Sequence, residues 1–399
     1  MKVLEKIKKD NLPVIIVGAG VIGEVLNQAC KKAGVKVECF CDNNLNKTRE
    51  FLDGIPIIHT PSLKNKYKEA NFLISAADIR DVVYQLEDLG YVKWYPCSSI
   101  LRDFDIYQCN FSKPIDFVAY AVATAVLCHD SFVTPDKLFL RSVDVVVTER
   151  CSLKCRDCSN LMRYYKNPQD TKLEELINEI DRLCFIVDEI NEIRILGGEP
   201  FMYKDVHLVI KRLIDEPKVK KIVIYTNGTI IPREEQLENL KSNKVLFIVT
   251  NYGDLSRNLD QLTKKISDNG IAFYVQKVGG WTDCSKIKKH NRNNDQQKEI
   301  FKMCCAKNTI TLSKGKLYRC PYSANAARLN AVPDFKNDSV NIFDEKISIV
   351  EMKKKVKNYL LEKDFLETCD YCNGRTFGDP EIQPAIQQIE TNDYQQYNY

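Results

Sequence analysis

The sequence lacks the features that indicate a nucleic-acid-binding, membrane or secreted protein. Its 58 basic and 54 acidic residues leave a net charge of +4 over 399 residues, which gives no electrostatic footprint for nucleic acid. No apolar run approaches the roughly 20 residues of a membrane-spanning helix. The apolar stretch near the start is too short for a signal peptide and runs into glycines. We therefore expect a cytoplasmic protein without nucleic-acid or membrane partners.

Cysteine, in contrast, is abundant, with 16 residues. Without a secretion signal, these are expected to be reduced thiols. Three of them, Cys151, Cys155 and Cys158, are spaced C-x3-C-x2-C directly after the apolar run 143–147. This spacing can bring three thiolates onto one iron–sulfur cube and leave its fourth iron without a protein ligand, because no further Cys or His follows within twenty residues. Zinc is the rival metal, since soft thiolates suit both.

Two short motifs follow at the ends of predicted strands. The predicted buried strand 192–196 ends in Gly-Gly-Glu-Pro, where two residues without side chains let a backbone approach a ligand closely. The next predicted strand, 221–225, runs into Thr-Asn-Gly. Each motif alone would indicate only a turn, but both follow the cysteine loop in a regular order of strands. The candidate ligand-binding residues are Gly197, Gly198, Glu199, Pro200, Thr226 and Asn227.

The cysteine loop and these two motifs together resemble the radical S-adenosylmethionine (SAM) superfamily. The resemblance implies a 4Fe-4S cluster on Cys151, Cys155 and Cys158, with SAM on the open iron and the Gly-Gly-Glu-Pro segment at its methionine amino group. It also implies a 5'-deoxyadenosyl radical that abstracts hydrogen from a C–H bond, and a flavodoxin- or ferredoxin-type electron donor. One position departs from the family, which commonly has an aromatic residue where this chain has Asp157.

A second set of cysteines lies in the C-terminal part of the chain. Two of them flank a hairpin predicted over residues 308–318, and two more form a C-x2-C pair. Four thiols could fill every position of a second 4Fe-4S cube, or form a zinc ribbon. The spacing resembles the twitch subdomain, the shortened form of the SPASM extension, which implies an auxiliary cluster. The candidate ligands are Cys305, Cys320, Cys369 and Cys372, with Cys304 as an alternative to Cys305.

The first hundred residues predict a different module. Gly18, Gly20 and Gly23 form G-x-G-x-x-G between a predicted strand and a predicted helix, and Asp42 ends the next strand nineteen residues later. Such a helix start offers backbone N–H groups to a phosphate, and Asp42 could hold a ribose hydroxyl. We therefore predict a Rossmann-like domain that binds NAD or a nucleotide-sugar. A domain that keeps the fold with an empty pocket is the alternative.

The predicted fold class is α/β, because strands alternate with helices whose apolar residues recur at spacings of three and four. Five segments are expected: a Rossmann-like domain at 1–100, a connector at 101–140, a partial (β/α)6 radical SAM barrel at 141–300, a small C-terminal twitch domain of hairpin plus helix at 301–380, and a mobile tail at 381–399.

The expected substrate is a small molecule, in the first place a carbohydrate: a sugar, cyclitol or nucleotide-sugar. Oxidising a hydroxyl removes two electrons, and the auxiliary cluster could accept the one that the radical does not take, so a dehydrogenase is the first hypothesis. An epimerase or mutase would instead return a hydrogen atom from Cys284 or Cys304. A peptide-modifying enzyme is a third possibility. The non-enzyme alternative is a structural zinc protein with a nucleotide-sensing domain.

Asp283 is the candidate acid in the substrate site. It follows Trp281 and a glycine pair after the last predicted barrel strand, so it should lie near the mouth of the barrel. An aromatic and an acidic side chain at that position suit a hydroxylated ligand. An exposed turn is the alternative interpretation.

Overall fold

The computed structural model describes residues 2–48, 50–376 and 378–398. The chain divides into two compact units, Met1–Lys137 and Leu138–Tyr399. The expected connector is therefore no separate segment, because most of it folds with the first unit. Tyr399, the end of the predicted tail, lies outside the described residues.

The first unit is built on a doubly wound sheet with the strand order β3-β4-β2-β1-β5-β6. All neighbouring pairs are parallel except β3 with β4. The order reverses between β1 and β5, as expected for a Rossmann-like sheet. The strands are β1 (Val14–Val17), β2 (Val37–Asp42), β3 (Phe51–Leu52), β4 (Ile55–His59), β5 (Asn71–Ile74) and β6 (Trp94–Pro96). The helices are α1 (Lys2–Asp10), α2 (Val21–Lys32), α3 (Ile79–Asp88), α4 (Ser98–Asp103) and α5 (Ile115–Val133).

Helix α5 corrects the expectation that no segment reaches membrane length. By length and composition alone, its 19 residues make it a candidate membrane span among the described residues, which is weak evidence by itself. Within its unit it packs against α2, α3 and α4. It also carries the buried His129, whose Nδ1 accepts the Cys97 N–H over 3.0 Å and whose Nε2 donates to the Ala76 carbonyl over 2.9 Å. Burial lowers the pKa of His129 to about 4, so its uncharged ring links Cys97 and Ala76 through hydrogen bonds.

The second unit is built on an eight-stranded sheet with the order β11-β10-β9-β8-β7-β13-β14-β15. Its strands are β7 (Phe139–Thr148), β8 (Glu189–Gly197), β9 (Val219–Thr226), β10 (Val245–Asn251), β11 (Ala272–Lys277), β12 (Trp281–Thr282), β13 (Ile310–Ser313), β14 (Lys316–Tyr318), β15 (Ser339–Asn341) and β16 (Glu381–Ile382). Its helices are α6 (Leu173–Ile186), α7 (Val206–Ile214), α8 (Glu234–Glu238), α9 (Leu259–Asp268), α10 (Asn294–Met303), α11 (Pro321–Arg328) and α12 (Ile349–Glu362).

The sixth parallel strand of the partial barrel is not where the sequence predicts it. Strands β7 to β11 follow in sequence with α6 to α9 between them, but β13 then pairs with β7 at the opposite edge. The hairpin β13–β14 thus continues the barrel sheet. Because an uncovered β7 edge would expose a row of unpaired backbone groups, the hairpin completes the barrel as well as forming part of the C-terminal domain.

Alternating side chains give the barrel strands two different faces. On β7, Val143, Val145 and Val147 join the core under the helices, whereas Ser142 and Asp144 belong to the opposite face and are also buried. Burial raises the pKa of Asp144, while the Arg194 guanidinium, 2.5 Å away, acts in the opposite direction. The inner face of the barrel is therefore polar.

The segment expected to be a mobile tail packs along the second unit. Strand β16 pairs antiparallel with β12, and the following residues run past the cysteine loop, where Arg156 N–H donates to the Ile386 carbonyl over 2.8 Å. Tyr394 and Tyr397 join an apolar cluster with Tyr371. A composition that indicates disorder thus supplies hydrogen bonds and aromatic packing here. We call residues 381–398 the C-terminal strap.

Candidate active site

Cys151, Cys155 and Cys158 lie in the loop that follows β7, at the C-terminal edge of the sheet. Leu153, Cys155 and Ala385 of the strap form a small buried cluster, against which the other two cysteines pack. Burial raises the pKa of all three thiols, that of Cys155 to about 11. A metal centre deprotonates the thiols that bind it, so a bound cluster would supply the thiolate form.

Each thiol of this loop also receives hydrogen bonds. Asn227 Nδ2 donates to Cys151 Sγ over 3.8 Å, and Gln387 Nε2 donates to Cys155 Sγ over 3.4 Å. Backbone groups of Asn160 and Met162 hydrogen-bond to Cys158. Donors on sulfur stabilise negative charge there, as iron–sulfur centres require.

The donor set fits a 4Fe-4S cluster with one open iron. Within the described part of the chain, no group of three or more His, Cys, Asp or Glu side chains is arranged to hold a single metal ion. A zinc ion would need its sulfur ligands about 2.3 Å from one point, whereas the ligands of a cube bind separate irons and stand further apart. Three soft thiols with hydrogen-bond donors on their sulfurs are what such a cube requires.

The Gly-Gly-Glu-Pro turn after β8 packs directly on the backbone of the cysteine loop. A Cβ on Gly198 would lie 2.0 Å from the Arg150 carbonyl oxygen, and one on Gly197 would lie 2.2 Å from the Thr148 carbonyl oxygen. Gly197 also has a φ of +152°, which disfavours side chains. In the structure these glycines make room for the loop that carries the cysteines, and their contact with a ligand stays a prediction.

Glu199 joins this turn to the segment after β9. Its side chain is fully buried and accepts hydrogen bonds from the Thr226 hydroxyl and the Asn227 N–H, both over 2.9 Å. Burial raises the pKa of Glu199 to about 7, against the opposing effect of these donors. Pro200 follows as the first residue of a short 3-10 turn. The predicted residues of the two motifs therefore meet, and Asn227 reaches on to Cys151.

Tyr252 is a site residue that sequence reasoning missed. It follows β10 at the same edge of the sheet, packs against the cluster of the cysteine loop, and makes an edge-on contact with Trp281 at 6.2 Å. Burial raises the pKa of its phenol, and the neighbouring Cys151, Cys155 and Cys158 add to the effect. Its place at a strand end was the available signal. Asp157, which stands where the family commonly has an aromatic residue, forms a salt bridge with Arg156 at 2.8 Å.

The second set of cysteines lines one cavity, and this lining favours Cys304, the alternative ligand, over Cys305. The cavity is lined by Cys304, whereas Cys305 is exposed and its N–H donates to the Arg375 carbonyl. The charges of Cys304, Cys369 and Cys372 each raise the pKa of Cys320, so the four thiols lie close together. The set that the structure brings together is Cys304, Cys320, Cys369 and Cys372.

Cys284 is a fifth thiol on this cavity. It is buried and lies near Cys158 as well as Cys372, since its charge would raise the pKa of both. Beside it, one oxygen of Asp283 pairs with Lys286 at 2.7 Å. The other oxygen of Asp283 and the Ser285 hydroxyl are buried without a hydrogen-bond partner. The structure thus places two predicted residues, Asp283 and Cys284, between the two cysteine sets.

The glycine turn of the first unit is a separate candidate site. A Cβ on Gly23 would lie 2.3 Å from the Gly18 carbonyl oxygen, whereas Gly20 has open space around it. These are the roles expected of the last and middle glycines in a dinucleotide-binding turn. Asp42 lies at the turn, where its carboxylate accepts the Ala19 N–H over 2.9 Å and pairs with Lys47 at 3.5 Å. Nucleotide binding here stays a prediction.

The chain has a family match and curated relatives. Residues 145–271 match the family model described as Radical SAM superfamily. A GTP 3',8-cyclase of Alkaliphilus metalliredigens is 27% identical over 165 residues, which are 36% of this chain and 51% of that protein. A GTP 3',8-cyclase of Acidothermus cellulolyticus is 35% identical over 100 residues, which are 24% of this chain and 27% of that protein. The chain thus spans about half the length of these relatives or less.

Solved structures show a weaker likeness. BtrN in complex with AdoMet and 2-DOIA is 20% identical, with a TM-score of 0.38 over 65% of this chain and 99% of BtrN. The enzyme anSMEcpe with bound AdoMet and a Cp18Cys peptide is 14% identical, with a TM-score of 0.39 over 58% of this chain and 83% of anSMEcpe. Scores this low carry no argument about mechanism.

The fold and the cysteine loop define an α/β domain whose first cysteine set has a donor set that fits an iron–sulfur cluster with one open iron. The matched residues include this loop together with both motifs that pack against it. Residues 145–271 therefore match the radical SAM superfamily, and this match supports a 4Fe-4S cluster and SAM as cofactors.

Replacing Gly198 by alanine should displace the cysteine loop, because the new Cβ would meet the Arg150 carbonyl oxygen at 2.0 Å. We expect the variant to lose about four irons per chain, one cluster, and with them SAM binding. Gly279→Ala is the matched control, since its Cβ meets nothing within 4 Å. Iron analysis after anaerobic reconstitution measures the difference, and a Gly198→Ala protein with full iron content would contradict the packing argument.

Glu199 should make the second unit less stable as the pH rises. Its folded pKa of about 7 exceeds the ordinary glutamate pKa of 4.5, so its contribution is fully present below pH 4.5 and is lost as the pH rises through about 7. Relative to Glu199→Gln, the free energy of unfolding of the wild type should fall by roughly 2 to 3 kcal/mol between about pH 5 and 8. Trp281 fluorescence in a Trp94→Phe background reports this unit, and parallel pH profiles would refute the assignment.

Proposed function

We propose that this protein is a radical SAM dehydrogenase. In this proposal it oxidises a hydroxyl group of a sugar, cyclitol or nucleotide-sugar, and a closed auxiliary 4Fe-4S cluster accepts the second electron. The observation that carries the proposal is the set of four buried or half-buried thiols on one cavity, close to the open site. Four thiols fill all positions of a cube, which suits electron transfer better than substrate binding.

The electron balance of alcohol oxidation explains why two centres are useful. Forming a C=O bond from a CH–OH group releases one hydrogen atom from carbon, one proton from oxygen and one further electron. When bound, SAM and its cluster supply the radical chemistry that removes the hydrogen atom, and a cluster on the second set supplies an acceptor for the electron. Asp283 is the proposed acceptor of the proton, because one of its carboxylate oxygens is buried and unpartnered beside Cys284.

The polar inner face of the barrel supports a hydroxylated substrate. Asp144, Glu192 and Ser142 are buried there, and Arg194 lies over the Tyr225 ring at 5.8 Å. Of these groups, the Ser142 hydroxyl is buried without a hydrogen-bond partner in the protein, and a buried polar group needs one, which a sugar or cyclitol supplies. The curated relatives are named GTP 3',8-cyclases, so a nucleotide is the rival substrate class. In either case, the proposed ligand of the glycine turn in the first unit is NAD or the nucleotide part of a nucleotide-sugar.

An epimerase or mutase is the second candidate, and the place of Cys284 favours it. A buried thiol between the two cysteine sets could return a hydrogen atom to a substrate radical, leaving a thiyl radical that needs one electron and one proton to recover. The second cysteine set would then hold the donor of that electron. The same thiol in a dehydrogenase would only line the site.

The deciding experiment uses the reconstituted holoenzyme with dithionite, SAM and a panel of cyclitols, sugars, nucleotide-sugars and GTP in deuterated water. A dehydrogenase should give one oxidised product per 5'-deoxyadenosine, without deuterium at carbon, and Cys284→Ala should keep this activity. An epimerase should introduce deuterium, and Cys284→Ala should abolish its product. Cys184→Ala is the control, since Cys184 is a buried residue of α6 in the helix-side core. A product from GTP alone would refute the carbohydrate assignment.

The ligand set of the auxiliary centre can be tested by iron content. Wild-type protein should hold about eight irons, two clusters of four. Cys304→Ala should fall toward four, because Cys304 lines the cavity, whereas Cys305→Ala should stay near eight. Electron paramagnetic resonance of the dithionite-reduced proteins should lose one signal in Cys304→Ala only. The reverse pattern would restore Cys305 as the ligand.

A further inference from the structure

The C-terminal strap lies on the cysteine loop as an additional strand. Cys155 and Gln387 form an antiparallel bridge. On either side of it, Arg156 N–H donates to the Ile386 carbonyl and Gln388 N–H donates to the Lys154 carbonyl, both over 2.8 Å. The strap therefore fixes the backbone at the middle cysteine of the triad, 232 residues away in sequence.

The oxygen and the nitrogen of the Gln387 amide both make hydrogen bonds at this bridge. Its oxygen accepts the Lys154 N–H over 2.7 Å. One N–H of Nε2 donates to the Ala385 carbonyl over 2.7 Å and the other to Cys155 Sγ over 3.4 Å. The two backbone contacts orient the amide so that its remaining N–H faces the sulfur.

We propose that Gln387 is a positioning residue for the SAM-binding cluster, whose amide raises the cluster's reduction potential through Cys155. One-electron reduction adds negative charge to the cluster and its thiolates, and a donor on sulfur stabilises that charge. The proposal goes beyond the proposed dehydrogenase function, because it holds for any reaction that begins with reduction of this cluster.

The rest of the strap keeps the amide in place. Asn392 N–H donates to the Arg163 carbonyl over 2.8 Å, and the Arg163 guanidinium donates to the Ile389 carbonyl over 2.6 Å. Further on, Tyr397 N–H donates to the Asn330 carbonyl. These anchors follow Gln387 and the pairing of β16 with β12 precedes it, so the bond to Cys155 does not depend on one exposed side chain alone.

The test is a redox titration of reconstituted holoenzyme, followed by electron paramagnetic resonance. The signal that changes on addition of SAM identifies the cluster with the open iron. Gln387→Leu removes the donor and fills its place with an apolar side chain, which keeps water from replacing it. Gln387→Glu keeps the acceptor for Lys154 N–H and puts a negative charge next to the sulfur. Gln388→Leu is the matched control, since its amide bonds Glu390 and Asn392 instead of a cysteine.

We expect Gln387→Leu to lower the equilibrium constant for reduction by up to about tenfold, a fall of 59 mV for one electron. Gln387→Glu should lower it further, and Gln388→Leu should leave it unchanged. Equal shifts in Gln387→Leu and Gln388→Leu would overturn the proposal, because they would reflect loosening of the strap. An unchanged potential in Gln387→Leu would also overturn it.

If Gln387→Leu loses its iron, the reduction potential is measured in Gln387→Glu instead. If neither variant keeps its cluster while Gln388→Leu does, the residue holds the cluster without tuning it, and the proposal is wrong. A failure of the proposed dehydrogenase activity would leave these potentials as they are. The two proposals are therefore tested separately.

Discussion

Contact between the Gly-Gly-Glu-Pro turn and the backbone of the cysteine loop is the constraint on which the rest of the site depends. Gly198 leaves no room for a side chain against Arg150, so the ends of β7 and β8 are held at a fixed distance. Glu199 then ties the end of β9 to the same turn through Thr226 and Asn227. Three neighbouring strands thus present their ends as one rigid surface, and the spacing of the three thiols follows from it.

The hairpin that carries the second cysteine set is built onto the same sheet. Strand β13 pairs with β7, whose far end begins the cysteine loop, while Cys320 follows the hairpin and begins α11. One hydrogen-bonded sheet consequently positions the cysteine loop and Cys320 of the second set, and Cys284 lies near both sets. A fixed separation of this kind is what electron transfer between two centres would need, whichever substrate the enzyme takes.

The sequence predicted site residues where the signal is a local motif, and it failed to predict them where segments distant in sequence meet. The spacing of the first cysteines and the motifs after β8 and β9 predicted segments that the structure brings together at one edge of the sheet. The choice between Cys304 and Cys305 was not available from spacing, because neighbouring residues in extended backbone face opposite ways and Cys304 is extended at the end of α10. Gln387 gave no signal, since its polar neighbourhood has the composition of a disordered tail. Its partner, Cys155, is 232 residues away.

The packing of the strap explains why it is ordered although its composition predicts a mobile tail. A backbone hydrogen bond contributes about 1 kcal/mol net, close to the roughly 1 to 2 kcal/mol that it costs to fix the backbone of one residue. Hydrogen bonds alone would therefore leave the strap near balance between ordered and disordered states. The packing of Tyr394 edge-on to Tyr164 at 5.7 Å, and of Tyr397 against Tyr371 at 6.3 Å, adds apolar burial that favours order. Because Tyr371 stands between Cys369 and Cys372, that packing connects the strap to the second cysteine set as well as the first.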